Sequence, residues 1–143
     1  MKHVLVIAFI LVLAGCSFPK DPENSFEKAK NDELKIGIIE NPPFITFING
    51  KAEGPEIELI KGFARENNLK ISFTKGNESG LIEELQKYKL HILSGGFEKG
   101  TIWKKEATPT APYDNSHVFL VPKGKNRLLQ HLETYILKNQ VKE

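Results

Sequence analysis

The chain carries one cysteine, one tryptophan and one methionine in 143 residues, and neither sign of charge dominates. A lone cysteine excludes a disulfide within the chain. Lysine and arginine number 20 against 18 acids, so no basic field draws in nucleic acid and no acidic one repels it. Four histidines, at 3, 91, 117 and 131, stand too far apart for a metal-ligand motif. There is no nucleophile elbow and no paired serine–histidine order, and Gly95 and Gly100 lack the lysine that follows the second glycine of a phosphate loop. These absences predict a chain without catalysis, resident metal or cofactor. Long apolar runs are missing too, except one at the start.

That run is Val4 to Leu13, ten apolar residues behind Lys2 and His3. It falls short of the about 20 residues a membrane-spanning helix needs and has the layout of a secretory signal, a basic start, an apolar middle and small residues at a cut site. Leu13-Ala14-Gly15-Cys16 resembles the lipobox of bacterial lipoproteins, which implies a signal over 1–15 and diacylation of Cys16. The alternative is a plain secretory signal with an incidental cysteine. Two acyl chains, at about 0.8 kcal/mol per buried CH₂, anchor a protein stably, so the expected location is the outer face of a bacterial membrane, the periplasmic side in a Gram-negative envelope. Ser17 is not the aspartate that usually retains lipoproteins at an inner membrane. Residues 16–33 are charged, hold two prolines and only two large apolar residues, Phe18 and Phe26, and read as a solvated tether with room for one weak helical turn.

From 34 to 143 the pattern is that of one domain. Leu34 to Ile39 is a β-branched run typical of a buried parallel strand, stopped by Asn41-Pro42-Pro43. Phe44 to Ile48 and the residues after Asn49-Gly50 predict a small hairpin. Gly54-Pro55 opens a helix to about Asn67, with acids 56 and 58 at its positive end and Ile57, Leu59, Ile60, Phe63 and Ala64 on its apolar face. Leu69 to Phe73 is a second strand. Asn77 or Ser79 caps a second helix bearing Leu81, Ile82, Leu85 and Tyr88. Leu90 to Ser94 is a third strand ending in Gly95-Gly96, His117 to Val121 a fourth, and Asn126 to about Asn139 a last helix with Leu128, Leu129, Leu132, Ile136 and Leu137 inward. Strands alternating with helices predict an α/β fold with a parallel-rich sheet flanked by helices.

In open α/β sheets ligands bind beyond the carboxyl ends of the strands. Those ends are Glu40 to Phe44 and Gly95 to Gly100, with Trp103 nearby. Each has a plainer alternative, a tight turn for Gly95-Gly96, a core plug for Phe44 and Phe97, a lid over the core for Trp103.

Lys35-Ile36-Gly37-Ile38, Pro42-Pro43-Phe44, Gly50, Gly54 followed by Glu58-Leu59, Leu81 to Leu85, His91 to Gly96 and Ala111-Pro112-Tyr113 resemble, in order and spacing, the extracellular solute-binding protein family 3. The resemblance implies one lobe of a type 2 periplasmic-binding-protein-like clamshell, with the Pro-Pro-Phe loop and the glycine loop lining the cleft. It also implies two departures. Val121-Pro122-Lys123-Gly124 passes directly into what looks like the returning terminal helix, so a second lobe is expected to be missing. Trp103 stands where the family usually has the arginine that clamps an α-carboxylate, with Gly100 and His91 at two further altered positions; an indole cannot supply the bidentate guanidinium fork. The expected ligand-binding residues are Glu40, Phe44, Gly95, Gly96, Phe97, Glu98 and Trp103, suited to a cationic or flat apolar solute. The expected function is non-covalent recognition of a small solute by a lipid-anchored protein, serving an ABC transporter or sensor, with a transporter or a second copy completing the cleft. The alternative is a protein-interaction lipoprotein that uses the lobe as a scaffold.

Overall fold

The structure is a computed structural model that describes residues 24–124 and 126–140. The expected signal and Cys16, and most of the tether, lie outside the described residues. A five-stranded sheet runs in the order β4-β1-β5-β7-β6, with β1 at Leu34–Ile38, β4 at Ile71–Lys75, β5 at Ile92–Glu98, β6 at Ala107–Pro109 and β7 at His117–Pro122. Strands β2 (Thr46–Ile48) and β3 (Lys51–Glu53) form a separate hairpin. Its turn is Asn49-Gly50 with both φ positive, 51° and 76°, as that dipeptide favours.

β1 pairs in parallel with β4 and β5, whereas β7 runs antiparallel to both β5 and β6. The sheet is therefore mixed. Two parallel pairs follow from helical crossovers, but the stretch between β5 and β7 carries a 3-10 turn, Ile102–Lys105, and the short β6 in place of a crossover helix, and returns the chain the opposite way. Alternation along the strands builds a core on each face. Ile36, Ile38, Phe119 and Val121 pack with Ile57, Ile60 and Phe63 of α2 (Pro55–Glu66) and with Leu128, Leu132 and Ile136 of α4 (Asn126–Lys138). Leu93, Phe97, Val118 and Leu120 pack with Leu81, Ile82 and Leu85 of α3 (Glu78–Gln86). Gly37 leaves room for Leu90 and Leu93, since a Cβ there would lie 2.7 Å from Leu90 Cδ1 and 2.9 Å from Leu93 Cδ1.

Three expectations are corrected. The tether does not extend unbroken to residue 33, because Ser25–Asn31 is a helix, α1, that buries Phe26 and Ala29 in the α2/α4 core. Tyr88 is not on the inward face of α3; the helix ends at Gln86, and Tyr88 lies beyond it with φ 58°, exposed, donating to Lys123 O at 3.1 Å. Leu137, expected inward on α4, is exposed, while Leu128, Leu132 and Ile136 carry the burial. Asn77 is the α3 cap, its side chain accepting from Gly80 N at 2.8 Å.

The ring of Phe26 stacks on His131 of α4 at 4.2 Å and 10°. Burial, then the nearby charges of Lys30 and Arg127, lower the His131 pKa despite Glu27. The folded state thus favours the neutral ring, and this group's share of stability is present above the ordinary histidine range and lost as pH falls through the lowered value. Phe26→Ala should destabilise the domain by about 3 kcal/mol. Urea denaturation should also show that the variant loses part of the wild-type decline between pH 7 and 5.

Candidate functional site

The carboxyl ends of β1 and β5 meet at a strand irregularity. Leu93 pairs with Leu120 and Phe97 with Val118, so β5 takes four residue steps against two of β7. Ser94, Gly95 and Gly96 fall in this bulge, and Gly96 has φ 70°. A bulge re-aims backbone groups away from the ladder. Here the Gly96 N–H donates to Glu56 Oε1 at 2.9 Å.

Glu56 is the second residue of α2 and is 0% exposed. Gly54, with φ 131°, brings the helix start against the turn before it; a Cβ on Gly54 would lie 2.3 Å from Phe44 O. Besides the Gly96 amide, the Glu56 carboxylate accepts from the Ser94 hydroxyl and from the Tyr113 hydroxyl. Burial raises the Glu56 pKa, and these donors oppose the rise without cancelling it. Burial and the neighbouring Glu56 charge push the Tyr113 phenol far up, so it stays a donor.

Above this carboxylate lies a rim of aromatic and amide groups. Asn41 Nδ2 donates to Gly95 O at 2.9 Å, tying the Pro42-Pro43 turn to the bulge. Phe44 covers Gly96 so closely that a Cβ at 96 would stand 2.6 Å from Phe44 Cδ2 and 2.7 Å from Asn41 Nδ2. The Phe44 ring meets the His117 ring at 4.3 Å, and Tyr113 packs on Phe119 at 5.1 Å. His117 Nδ1 is 2.7 Å from Asp114 Oδ2. Burial alone would raise the Asp114 pKa; hydrogen bonds from the His117 and Ser116 amides and from the His117 ring outweigh it and hold the pKa down.

The sequence-derived residues therefore separate into groups. Phe44, Gly95 and Gly96 are brought together. Glu40 turns away and pairs with Lys75 at 2.8 Å, which lowers its pKa. Phe97 is not on an exposed loop: β5 continues through it, and its side chain, 7% exposed, belongs to the α3 core. Glu98 is exposed at the end of β5, paired across to His117. Trp103 sits in the 3-10 turn, packs on the α3 core beside which Ile39 also lies, and donates its indole N–H to Glu78 at the start of α3. Among the described residues, no group of three or more His, Cys, Asp or Glu is arranged to hold a metal, and no helix is long and apolar enough to cross a membrane.

Sequence reasoning missed Glu56, Asn41, His117 and Glu78. For Glu56 a signal existed. It stands four residues before Ile60 and seven before Phe63, so it falls on the apolar stripe of α2 and not on its solvated face. Its acidity suited the helix dipole and hid that placement.

Residues 34–143 match the bacterial extracellular solute-binding proteins, family 3. The chain is similar to the probable amino-acid-binding protein YxeM of Bacillus subtilis, 30% identical over 125 residues, 86% of this chain and 46% of that protein. It is similar to a probable histidine-binding protein of Campylobacter jejuni, 27% identical over 128 residues, 87% of this chain and 50% of that one. The chain thus spans about half the length of the curated relatives it matches. Among solved structures, the arginine-bound form of domain 1 from TmArgBP superposes with a TM-score of 0.71 at 21% identity, covering 81% of this chain and 98% of that domain. That likeness is one of fold, a single binding-protein lobe.

Three substitutions test the site's construction. Glu56→Ala should destabilise by about 2–4 kcal/mol, because it leaves buried donors without an acceptor. Glu56→Gln keeps the acceptor for Gly96 and Tyr113 and does not ionise. The raised pKa means the Glu56 contribution is full below the ordinary carboxylate range and declines as pH rises through the folded value. Denaturation from pH 4 to 8 should therefore show Glu56→Gln gaining on the wild type as pH rises. Separately, Gly96→Ala should lose about 1–3 kcal/mol through its positive φ and displace the Phe44 ring, read from the shift of its NMR resonances.

Proposed function

The chain belongs to the bacterial extracellular solute-binding proteins, family 3, and we propose that it recognises a small cationic solute non-covalently, and without catalysis, at the rim formed by Phe44, Gly95 and Gly96. The observation that carries this reading is the convergence of the Phe44 ring on the Gly96 bulge above a fixed carboxylate. Such a rim offers a flat π face beside backbone groups that are already held in place.

Charge and side-chain type select the solute. Where the family resemblance places a carboxylate-clamping arginine, this chain has Trp103, hydrogen-bonded to Glu78. Glu98 is exposed at the end of β5. An indole and two carboxylates favour an ammonium or guanidinium group through cation–π and charge-assisted contacts. Relatives named for amino-acid binding support a solute of that size. Domain 1 from TmArgBP, which shares this fold, is known in an arginine-bound form. We place the domain on the outer face of a bacterial membrane through lipid on Cys16, where it serves an importer or a sensor.

A second reading rests on Ile102, 80% exposed beside Trp103. It makes the rim a contact for another protein surface, a transporter or a second copy.

A thermal-shift panel of amino acids, amines and polyamines separates the two readings. A ligand at 100 Kd adds about 2.7 kcal/mol of stability. Basic amino acids or amines should raise Tm and alter Trp103 fluorescence, and Trp103→Ala and Phe44→Ala should each reduce the response at least tenfold while far-UV circular dichroism is unchanged. A panel without any shift, together with crosslinks from position 102 to another protein, would replace solute recognition with docking.

A further inference from the structure

A pocket lined by three lysines lies apart from the rim, at the ends of β1 and β4. The β2–β3 hairpin leans over the outer edge of the sheet, where β4 is the edge strand. Between the hairpin and the ends of β1 and β4 is a cleft of about 410 Å³, within the size range of small-molecule sites. Its floor is apolar, formed by Phe47, Ala52 and Phe73, and Lys51, Lys61 and Lys75 line it as well.

The charges around it do not balance. Lys75 Nζ lies 3.9 Å over the Phe47 ring and 2.8 Å from Glu40. Lys61 pairs with Glu58 at 3.1 Å. Lys51 has no acidic partner among the described residues. Neither Glu40 nor Glu58 is a lining residue. Three ammonium groups thus face two carboxylates around an aromatic floor, which leaves one positive charge over.

We propose that this cleft binds a small monoanion with an apolar body, an aromatic or branched-chain carboxylate. Its hydrocarbon rests on Phe47 and Phe73 and its carboxylate meets Lys51. One uncompensated ammonium suits a single negative charge, and the apolar floor excludes strongly hydrated anions such as phosphate, whose desolvation the aromatic rings do not repay. The site is independent of the rim. It shares no lining residue with Phe44, Gly95, Gly96 or Trp103, and it selects the opposite charge.

The test uses the full chain titrated with phenylacetate, followed by NMR, with phenylacetamide and phenethylamine as neutral and cationic counterparts. Phenylacetate should shift the resonances of Phe47, Ala52 and Phe73 and leave those of Gly96 and Trp103 in place; the two counterparts should bind at least fivefold more weakly. Lys51→Gln should weaken phenylacetate by about fivefold, the size of one partly exposed charge contact, and Lys51→Glu should abolish binding. Lys51 is exposed in the hairpin, and unchanged Gly96 resonances report that each variant is folded. Phenylacetamide binding as tightly as phenylacetate, or Lys51→Glu binding like the wild type, would overturn the proposal, as would phenylacetate shifts confined to Gly96 and Trp103. Because the rim is read by different residues and cationic ligands, failure here leaves the solute-binding reading standing.

Discussion

One buried carboxylate ties together the sheet edge at Phe44 and Gly96. Glu56 takes hydrogen bonds from Ser94, Gly96 and Tyr113, three groups that come from the bulged strand and from the connection leading to β7. Without an internal acceptor the Gly96 amide, turned out of the ladder by the bulge, would be a buried donor without a partner. The bulge and the carboxylate therefore require each other. The placement of Phe44 follows from both, since the ring fills the space that a side chain at Gly96 would occupy.

This arrangement leaves two neighbouring surfaces of different electrostatic character on either side of β1. Toward α3 lie Trp103, Glu78 and the exposed Glu98; toward the hairpin three lysines line a cleft with Phe47 and Phe73. The Glu40–Lys75 pair stands on the hairpin side. By holding Glu40 away from the rim it makes the rim less acidic than the loop composition suggests, and it restrains one of the lysines. Charge on this small sheet is thus sorted by strand edge and not by net composition, which is close to neutral.

Most of the secondary structure could be read from the chain. Period-two and period-3.6 patterns located β1, the hairpin, α2, α3 and α4, and Asn-Gly and Asn77 located a turn and a cap. What escaped depended on partners distant in sequence. Phe26 and Ala29 are too few to produce an amphipathic period within a charged segment, and their burial depends on α4. Gly95-Gly96 resembles a strand end, yet β7 supports the strand through the irregularity to Glu98. The direction of β7 leaves no trace in its own periodicity, so the mixed sheet could not be distinguished from a parallel one. At the site, Phe44 and the glycines were legible because aromatic and glycine residues at strand ends are unusual. Glu56 was not, since an acid in a first helical turn has an ordinary explanation.

The helix α4 has a bearing on how the molecule reaches its final form. Its Leu128, Leu132 and Ile136 complete the core begun by β1 and α2, and His131 receives the ring of Phe26 from α1. The first and last helices of the domain are thus mutual supports. Closing this core joins opposite ends of the domain, a pairing of high sequence separation, so neither terminal helix finds its packing surface until the other has formed.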